Sequence, residues 1–139
     1  MTIDQAKKKA LELVKNSKTV VLATVDAKGY PNMRAMLNLE WDGLKTFYFS
    51  TELSSNKVKQ VLKNKKSGIC FFDDKMFKGL RLVGDIKVRK DKEAKEKLWR
   101  PGFEMYYPKG VTDPGYCVLE LKVKGGSYYQ GFNVLDFKI

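Results

Sequence analysis

Apolar and polar residues follow two different periods along this chain, and the changes of period mark its elements. Near the start, Ala6, Ala10 and Val14 recur at helical spacing behind a Thr-x-x-Gln capping box at residues 2–5. This spacing predicts a first helix that ends at about Asn16.

Most of the remaining chain has the composition of short strands joined by tight turns. β-branched and aromatic residues dominate the predicted strands, at residues 18–25, 31–39, 46–50, 68–72, 79–89, 116–123 and 127–132. Asp42 with Gly43 predicts a hairpin, and Gly125 with Gly126 is interpreted as the turn between the last two strands. Gly84 interrupts the alternation of its strand, which predicts a bulge.

Two further helices are predicted between these strands. The first follows a hydroxyl-rich turn and carries a narrow apolar face of Val58, Val61 and Leu62. The second spans residues 91–99, with an aspartate at its N-cap and a proline and a glycine after it. Residues 103–114 fit either a short helix or an ordered loop.

The order of these elements predicts the fold class. About seven strands with hairpin-type connections indicate a mainly β protein with short flanking helices, in a single domain of residues 1–139. We expect a closed antiparallel barrel, because closure removes the exposed edges of a sheet. The nearly continuous apolar run at residues 68–72 predicts a strand that is buried on both faces.

Composition narrows the chemistry that this domain can carry. The chain has no histidine, which excludes histidine-bearing catalytic triads and the usual histidine-containing zinc sites. Cys70 and Cys117 lie in apolar runs and are expected to be small buried side chains without a disulfide. No apolar run reaches the ~20 residues of a membrane span, and the N-terminus lacks a secretory signal. We therefore expect a cytoplasmic protein that does not enter a membrane.

The net charge of +11 favours an anionic partner. The lysines are spread along predicted helix surfaces, so we expect most of the excess charge to promote solubility. A basic barrel that binds nucleic acid, with aromatic residues stacking on bases, is the lesser alternative.

The hydroxyl-rich turn before the second helix is the first candidate for a binding site. Thr51, Ser54 and Ser55 place hydroxyl groups ahead of Lys57, where a helix N-terminus carries partial positive charge. Such a terminus can hold a phosphate. Serine is also a favoured N-cap without any anion, and this turn alone favours that simpler interpretation.

Several segments together resemble a known family. They lie at residues 20–36, 42–43, 47–61, 79–88 and 98–123 and follow one another in the family's order over nearly the whole chain. The chain is similar to the FMN-binding split β-barrels related to pyridoxamine 5'-phosphate oxidase, especially to the small members that resemble general stress proteins. The resemblance implies an antiparallel split β-barrel.

The resemblance also implies a cofactor site. In the family a basic residue after a Gly-x-Pro turn reaches the FMN phosphate, and Arg34 has that position here. The next three residues fall where the family's strand follows the flavin ring, and the hydroxyl-rich turn with Lys57 matches the family's phosphate-binding turn. The implied cofactor-binding residues are Arg34, Ala35, Met36, Leu37, Ser50, Thr51, Ser54, Ser55, Lys57, Trp99 and Tyr129.

Partners and activity follow from the same resemblance. It implies a homodimer whose sites lie between subunits. The candidates for an aromatic wall contributed across the interface are Trp99, Tyr107, Tyr128 and Tyr129. FMN is the expected cofactor, and FAD, the deazaflavin F420 and haem are the alternatives. We expect an oxidoreductase that acts on a small molecule, and name no catalytic residue because a flavin carries the electron chemistry itself. A flavin store or redox sensor without turnover is the second hypothesis.

Three departures from the family bear on the substrate. Asn56 stands where several relatives carry arginine, and Gly79 stands where the true vitamin B6 oxidases carry glutamine. The sequence ends without the arginine-bearing C-terminal signature of those oxidases. We therefore do not expect vitamin B6 oxidation.

Overall fold

The computed structural model describes residues 1–139 as one antiparallel sheet with three helices. The helices are α1 (Ile3–Lys15), α2 (Asn56–Lys63) and α3 (Lys92–Leu98). The strands are β1 (Thr19–Val25), β2 (Pro31–Leu37), β3 (Glu40–Asp42), β4 (Thr46–Glu52), β5 (Lys66–Asp73), β6 (Lys78–Arg89), β7 (Tyr116–Gln130) and β8 (Asn133–Lys138). No helix is long and apolar enough to cross a membrane.

The eight strands form a curled sheet in the order β2-β1-β5-β6-β7-β4-β3, and β8 pairs with the second half of β7. This is the antiparallel split β-barrel that the resemblance implied, with β2 and β3 as the terminal strands. The expectation of a fully closed barrel is wrong, because no backbone pairing joins β2 to β3 or β4. The opening leaves one edge of β2 unpaired.

The core lies on the concave face of this sheet. Alternate residues of the central strands point inward, among them Phe49, Phe71 and Leu82, and each is almost completely buried. Burying an apolar side chain of this size stabilises the fold by about 1.5–3 kcal/mol. Helix α1 covers one end of this core with Ala6 and Ala10, and its predicted capping box is confirmed.

Glycines decide the path of the two longest strands. The predicted bulge is confirmed, since the register of β6 against β7 shifts between Val83 and Gly84. The predicted turn at Gly125 and Gly126 is wrong, because both residues lie inside β7. A Cβ at Gly126 would collide with the carbonyl of Arg81, so these glycines permit close approach of backbones. The last hairpin turns at Gly131 instead, which adds β8.

Other differences from the sequence predictions are local. The predicted strand at residues 31–39 ends at Leu37, and a separate short strand, β3, forms the hairpin with β4. Strand β5 is buried on one face only, and Phe72 on the other face is 60% exposed. Leu62 on α2 is exposed as well. Residues 103–114 contain two short 3₁₀ turns, at Phe103–Met105 and Gly110–Thr112.

A second, smaller cluster fastens α3 to the outer face of β7. Leu98 packs with Tyr107, Tyr116 and Val118. The hydroxyl of Tyr116 donates a hydrogen bond to the carbonyl of Lys95 at 2.8 Å. Burial raises the pKa of Tyr116 and raises that of Tyr107 to about 12, so both phenols stay neutral.

The prediction of buried cysteines is confirmed for Cys117 and is only partly right for Cys70. Cys70 and Cys117 are free thiols, the first half-buried and the second completely buried. Burial raises the pKa of Cys117 to about 11, which keeps it a protonated, unreactive core residue.

Candidate functional site

Arg34 lies on the terminal strand β2, opposite Leu22 of β1. Its NH1 donates hydrogen bonds to the hydroxyl of Thr24 at 2.7 Å and to the carbonyl of Leu22 at 3.3 Å. The guanidinium is therefore half-buried at the open side of the barrel, and burial lowers the pKa of Arg34 from its usual value.

Lys57 lies in the first turn of α2 and extends toward the same side. Its Nζ donates to the hydroxyl of Thr51 at 2.9 Å, and Thr51 points inward from the end of β4. Burial lowers the pKa of Lys57 first, and the positive charge of Arg34 lowers it further. Glu52 acts in the opposite direction but is the smallest of these effects. The structure therefore brings Arg34, Thr51 and Lys57 together.

The two cations have no acidic partner. All six ion pairs of the protein lie elsewhere, and both Arg34 and Lys57 form hydrogen bonds only to neutral oxygens. Two half-buried positive charges that repel each other are unfavourable in the free protein. A dianion placed between them would offset that repulsion and raise the pKa of Lys57.

The N-terminus of α2 supplies further hydrogen-bond donors. Ser55 is the N-cap residue, but its side chain makes no capping hydrogen bond. The Ser55 hydroxyl is excluded from solvent and has no hydrogen-bond partner. By contrast, Thr2 and Asp91 cap α1 and α3 with their side chains.

Uncapped first-turn N–H groups, a buried hydroxyl without a partner and two unpaired cations are the groups that a phosphate binds. The first turn of α2 also contains no acidic residue, although acidic residues normally complement the helix dipole there. The residues present therefore fit a phosphate group, and they favour that interpretation over a plain helix cap.

Two residues at this site were missed from the sequence. Thr24 is completely buried and donates its hydroxyl hydrogen to Oε1 of Gln60 at 2.5 Å, in addition to accepting from Arg34. A signal existed for each: Thr24 is a polar residue at an inward position of an otherwise apolar strand. Gln60 lies three residues after Lys57, on the same side of α2.

An open cleft of about 560 Å³ lies beside Gln60 and its hydrogen bond to Thr24. It lies between α2 and the β1–β2 turn, and Asn56, Lys59 and Gln60 are among its lining residues. Asp26 at its rim is engaged by Asn32 and by the N–H groups of its own turn, which hold the pKa of its carboxyl below the usual value.

Other predicted cofactor residues lie near these groups without joining them. Met36 shares the face of β2 that carries Arg34 and packs against the core, whereas Ala35 and Leu37 face outward and are exposed. Ser50 points to the face of β4 opposite Thr51.

Ser54 is exposed, and its hydroxyl hydrogen-bonds a carboxylate oxygen of Glu52 at 3.2 Å. The cofactor roles of Ala35, Leu37, Ser50 and Ser54 stay predictions.

Trp99 and Tyr129 lie away from the two cations within one chain. Trp99 belongs to the cluster around α3, with its ring 5.4 Å from Tyr116 and 5.6 Å from Phe103. Tyr129 is on β7, and three strands separate β7 from the β2 strand of Arg34. Their predicted contribution across a subunit interface stays a prediction.

Two exposed apolar surfaces accompany this arrangement. The first is formed by the outward residues of β2 and the turn before it, Tyr30, Met33 and Leu37. The second covers the tips of the β5–β6 and β7–β8 hairpins, next to Tyr129, whose ring lies 6.0 Å from that of Phe77. Its exposed residues are Phe72, Met76, Phe77, Phe132 and Val134.

The sequence is similar to those of known proteins. The family model described as pyridoxamine 5'-phosphate oxidase matches residues 6–130. A pyridoxine/pyridoxamine 5'-phosphate oxidase of Allorhizobium ampelinum is 36% identical over 81 residues, which cover 58% of this chain and 39% of that protein. The chain thus spans about two fifths of the length of such curated relatives.

Solved structures support the same assignment. A protein from Clostridium acetobutylicum, described as related to general stress protein 26 and as a member of the pyridoxinephosphate oxidase family, is 41% identical with a TM-score of 0.89. The match covers 99% of this chain and 97% of that one. A haem-binding protein from Mycobacterium smegmatis shares the fold at 14% identity and a TM-score of 0.77, over 96% of this chain and 57% of the other. The chain belongs to the pyridoxamine 5'-phosphate oxidase family.

Proposed function

We propose that this protein binds FMN and acts, as a homodimer, as an oxidoreductase on a small molecule. The observation that carries the proposal is the buried Ser55 hydroxyl without a partner, placed beside two cations that lack any acidic partner. This combination is costly in the free protein and becomes favourable when a phosphate is bound.

Each residue has a distinct task in this proposal. Arg34 offers a planar pair of N–H groups to two phosphate oxygens, and Lys57 adds a compact positive charge. Ser55 donates its hydroxyl hydrogen, and the first-turn N–H groups of α2 complete the set. Bound FMN would supply hydride and electron transfer, while the protein binds and orients it.

The homodimer is proposed from the exposed apolar surfaces. Contiguous apolar area of this kind marks interaction sites in soluble proteins. Pairing the outward face of β2 with the hairpin tips of a second copy would cover both surfaces. It would also bring Tyr129 of one protomer toward the phosphate-binding groups of the other, which agrees with the aromatic wall expected across the interface.

A cofactor that carries a phosphate is favoured over haem by the kind of groups present. Haem requires an axial ligand, and the chain has no histidine to provide the commonest one. FAD and F420 also carry phosphate groups, and the open cleft beside Gln60 leaves space for a longer substituent. Comparing FMN with FAD and F420 in the same binding assay separates these cofactors.

The experiment is a cofactor titration with matched lysine variants. We expect FMN to bind one per chain and Lys57→Met to weaken binding by about 10- to 150-fold, since one charge-assisted hydrogen bond contributes about 1.5–3 kcal/mol. Lys59→Met removes an exposed lysine from the same helix and should change affinity by less than about twofold. Absence of FMN binding by the wild type, or equal effects of the two variants, would contradict the proposed site.

Turnover and assembly need separate measurements. Anaerobic reduction of the bound flavin by a nicotinamide donor supports an oxidoreductase, whereas stable binding without reduction favours the flavin store or sensor. Light scattering of the purified protein tests the dimer, which should have twice the 16.0 kDa mass of one chain.

A further inference from the structure

We propose that Thr24 and Gln60 are positioning residues, which hold the guanidinium of Arg34 in the orientation that receives a phosphate. The inference rests on the proposed phosphate site and adds two residues that do not themselves touch the ligand. It is carried by a continuous chain of hydrogen bonds from Arg34 through Thr24 to Gln60.

The direction of each hydrogen bond in this chain is fixed by chemistry. Arginine is a donor only, so the Thr24 hydroxyl must accept from NH1 of Arg34 at 2.7 Å. That hydroxyl has one hydrogen of its own, which it donates to Oε1 of Gln60 at 2.5 Å. Thr24 is completely buried, so water does not compete for either bond.

These hydrogen bonds determine which edge of the Arg34 guanidinium is free to bind a ligand. NH1 carries two hydrogens, and both are used, one by Thr24 and one by the carbonyl of Leu22. Nε and NH2 make no hydrogen bond within the protein. The remaining N–H groups therefore form the planar Nε–NH2 edge, which matches two oxygens of one phosphate.

Arg34 needs such support because of where it lies. Its strand β2 is at the open side of the sheet, and the nearby charge of Lys57 repels its guanidinium. A free arginine side chain also loses about 2 kcal/mol of rotamer entropy when a ligand orders it. The hydrogen bond from Arg34 to Thr24 orders the arginine side chain before the ligand arrives. The hydrogen bond from Thr24 to Gln60 joins β1 to the helix that carries Lys57.

The test compares FMN with riboflavin, which has the same ring without the phosphate. Thr24→Val keeps the shape and removes the hydroxyl, and we expect FMN to bind about 10-fold more weakly, a change of about 1.4 kcal/mol. Riboflavin affinity should stay within about twofold of the wild-type value, because the ring contacts are unchanged. Thr24→Ser keeps the hydroxyl and should retain wild-type affinity for both ligands.

A double-mutant cycle distinguishes positioning from a general structural role. In an Arg34→Ala background, Thr24→Val should cause no further loss of FMN affinity, since no guanidinium remains to be held. A full further loss in that background, or an unchanged FMN affinity in Thr24→Val itself, would overturn the inference. If Thr24→Val fails to fold, Gln60→Leu removes the acceptor at a half-buried position and replaces it in the same cycle.

Failure of this inference is separable from failure of the proposed function. A wild-type protein that does not bind FMN refutes both. A wild-type protein that binds FMN and loses affinity on Arg34→Ala, but not on Thr24→Val or Gln60→Leu, refutes only the positioning role.

Discussion

Ser55→Ala should make the free protein more stable and the FMN complex weaker, and these opposite signs follow from one hydroxyl. Its oxygen is buried without a hydrogen-bond partner, and an unsatisfied buried polar group costs about 1–3 kcal/mol. Alanine removes that cost, and no capping hydrogen bond is lost because Ser55 makes none. We expect the free energy of unfolding to rise by about 1 kcal/mol. This is the lower end of the range, because the methyl group of alanine fills the space of the hydroxyl imperfectly.

The complex should change in the opposite direction. A hydrogen bond from the Ser55 hydroxyl to a charged phosphate contributes about 1.5–3 kcal/mol, so its loss weakens FMN binding about 10- to 150-fold. Urea unfolding of the protein with and without FMN measures both effects in one assay, because a ligand that binds only the folded state adds stability that increases with the logarithm of its affinity.

Thr2→Ala is the matched control, since the Thr2 hydroxyl caps α1 by accepting a hydrogen bond from the N–H of Gln5 at 3.1 Å. It should destabilise the protein by about 1 kcal/mol and leave FMN affinity unchanged. If Ser55→Ala destabilised the FMN-free protein to the same extent as Thr2→Ala, the Ser55 hydroxyl would not be an unsatisfied group held for a phosphate.

Three further predictions concern pH and backbone geometry. FMN affinity, measured against riboflavin, should fall above the lowered pKa of Lys57, which lies under the usual 10.5, and also below about pH 6, where the phosphate takes up a proton. Arg89 lowers the pKa of Asp91 to about 2 from 3.8, so the Asp91 carboxylate stabilises the folded state above about pH 4. In acid unfolding, the wild type should therefore be more stable than Asp91→Asn above that pH, and the difference in stability should vanish as the pH falls to 2. Gly84→Ala should lower the thermal midpoint far more than Gly79→Ala, because a methyl at Gly84 meets backbone whereas one at Gly79 meets a movable tyrosine ring.

Much of the fold follows from local sequence signals. The capping box at Thr2 and the bulge at Gly84 are decided by neighbours in the chain, and both are confirmed. Local signals were not sufficient at Gly125 and Gly126, where the predicted turn is wrong. Glycine suits a turn and also suits close strand contact, and only the distant carbonyl of Arg81 decides between them.

Some residues of the candidate site could also be predicted from local sequence signals, and others could not. Ser55 and Lys57 were identifiable because hydroxyls and a cation at a helix N-terminus indicate an anion site, whereas Arg34 was identified through the resemblance. The sequence signals at Thr24 and Gln60 did not show that the two residues meet, because their hydrogen bond joins positions 36 residues apart. That Ser55 lacks a partner could be learned only from the packing around it.

The 15-residue strand β7 has a consequence for synthesis of the protein. Its first half pairs with β4, its second half with β8, and β6 lies along nearly its whole length. The β4 side of the sheet therefore cannot be completed until residue 122 has left the ribosome, and the β8 side cannot be completed until residue 138 has. Until then β4 and β6 expose apolar faces on the nascent chain, and final closure depends on contacts distant in sequence, which form slowly.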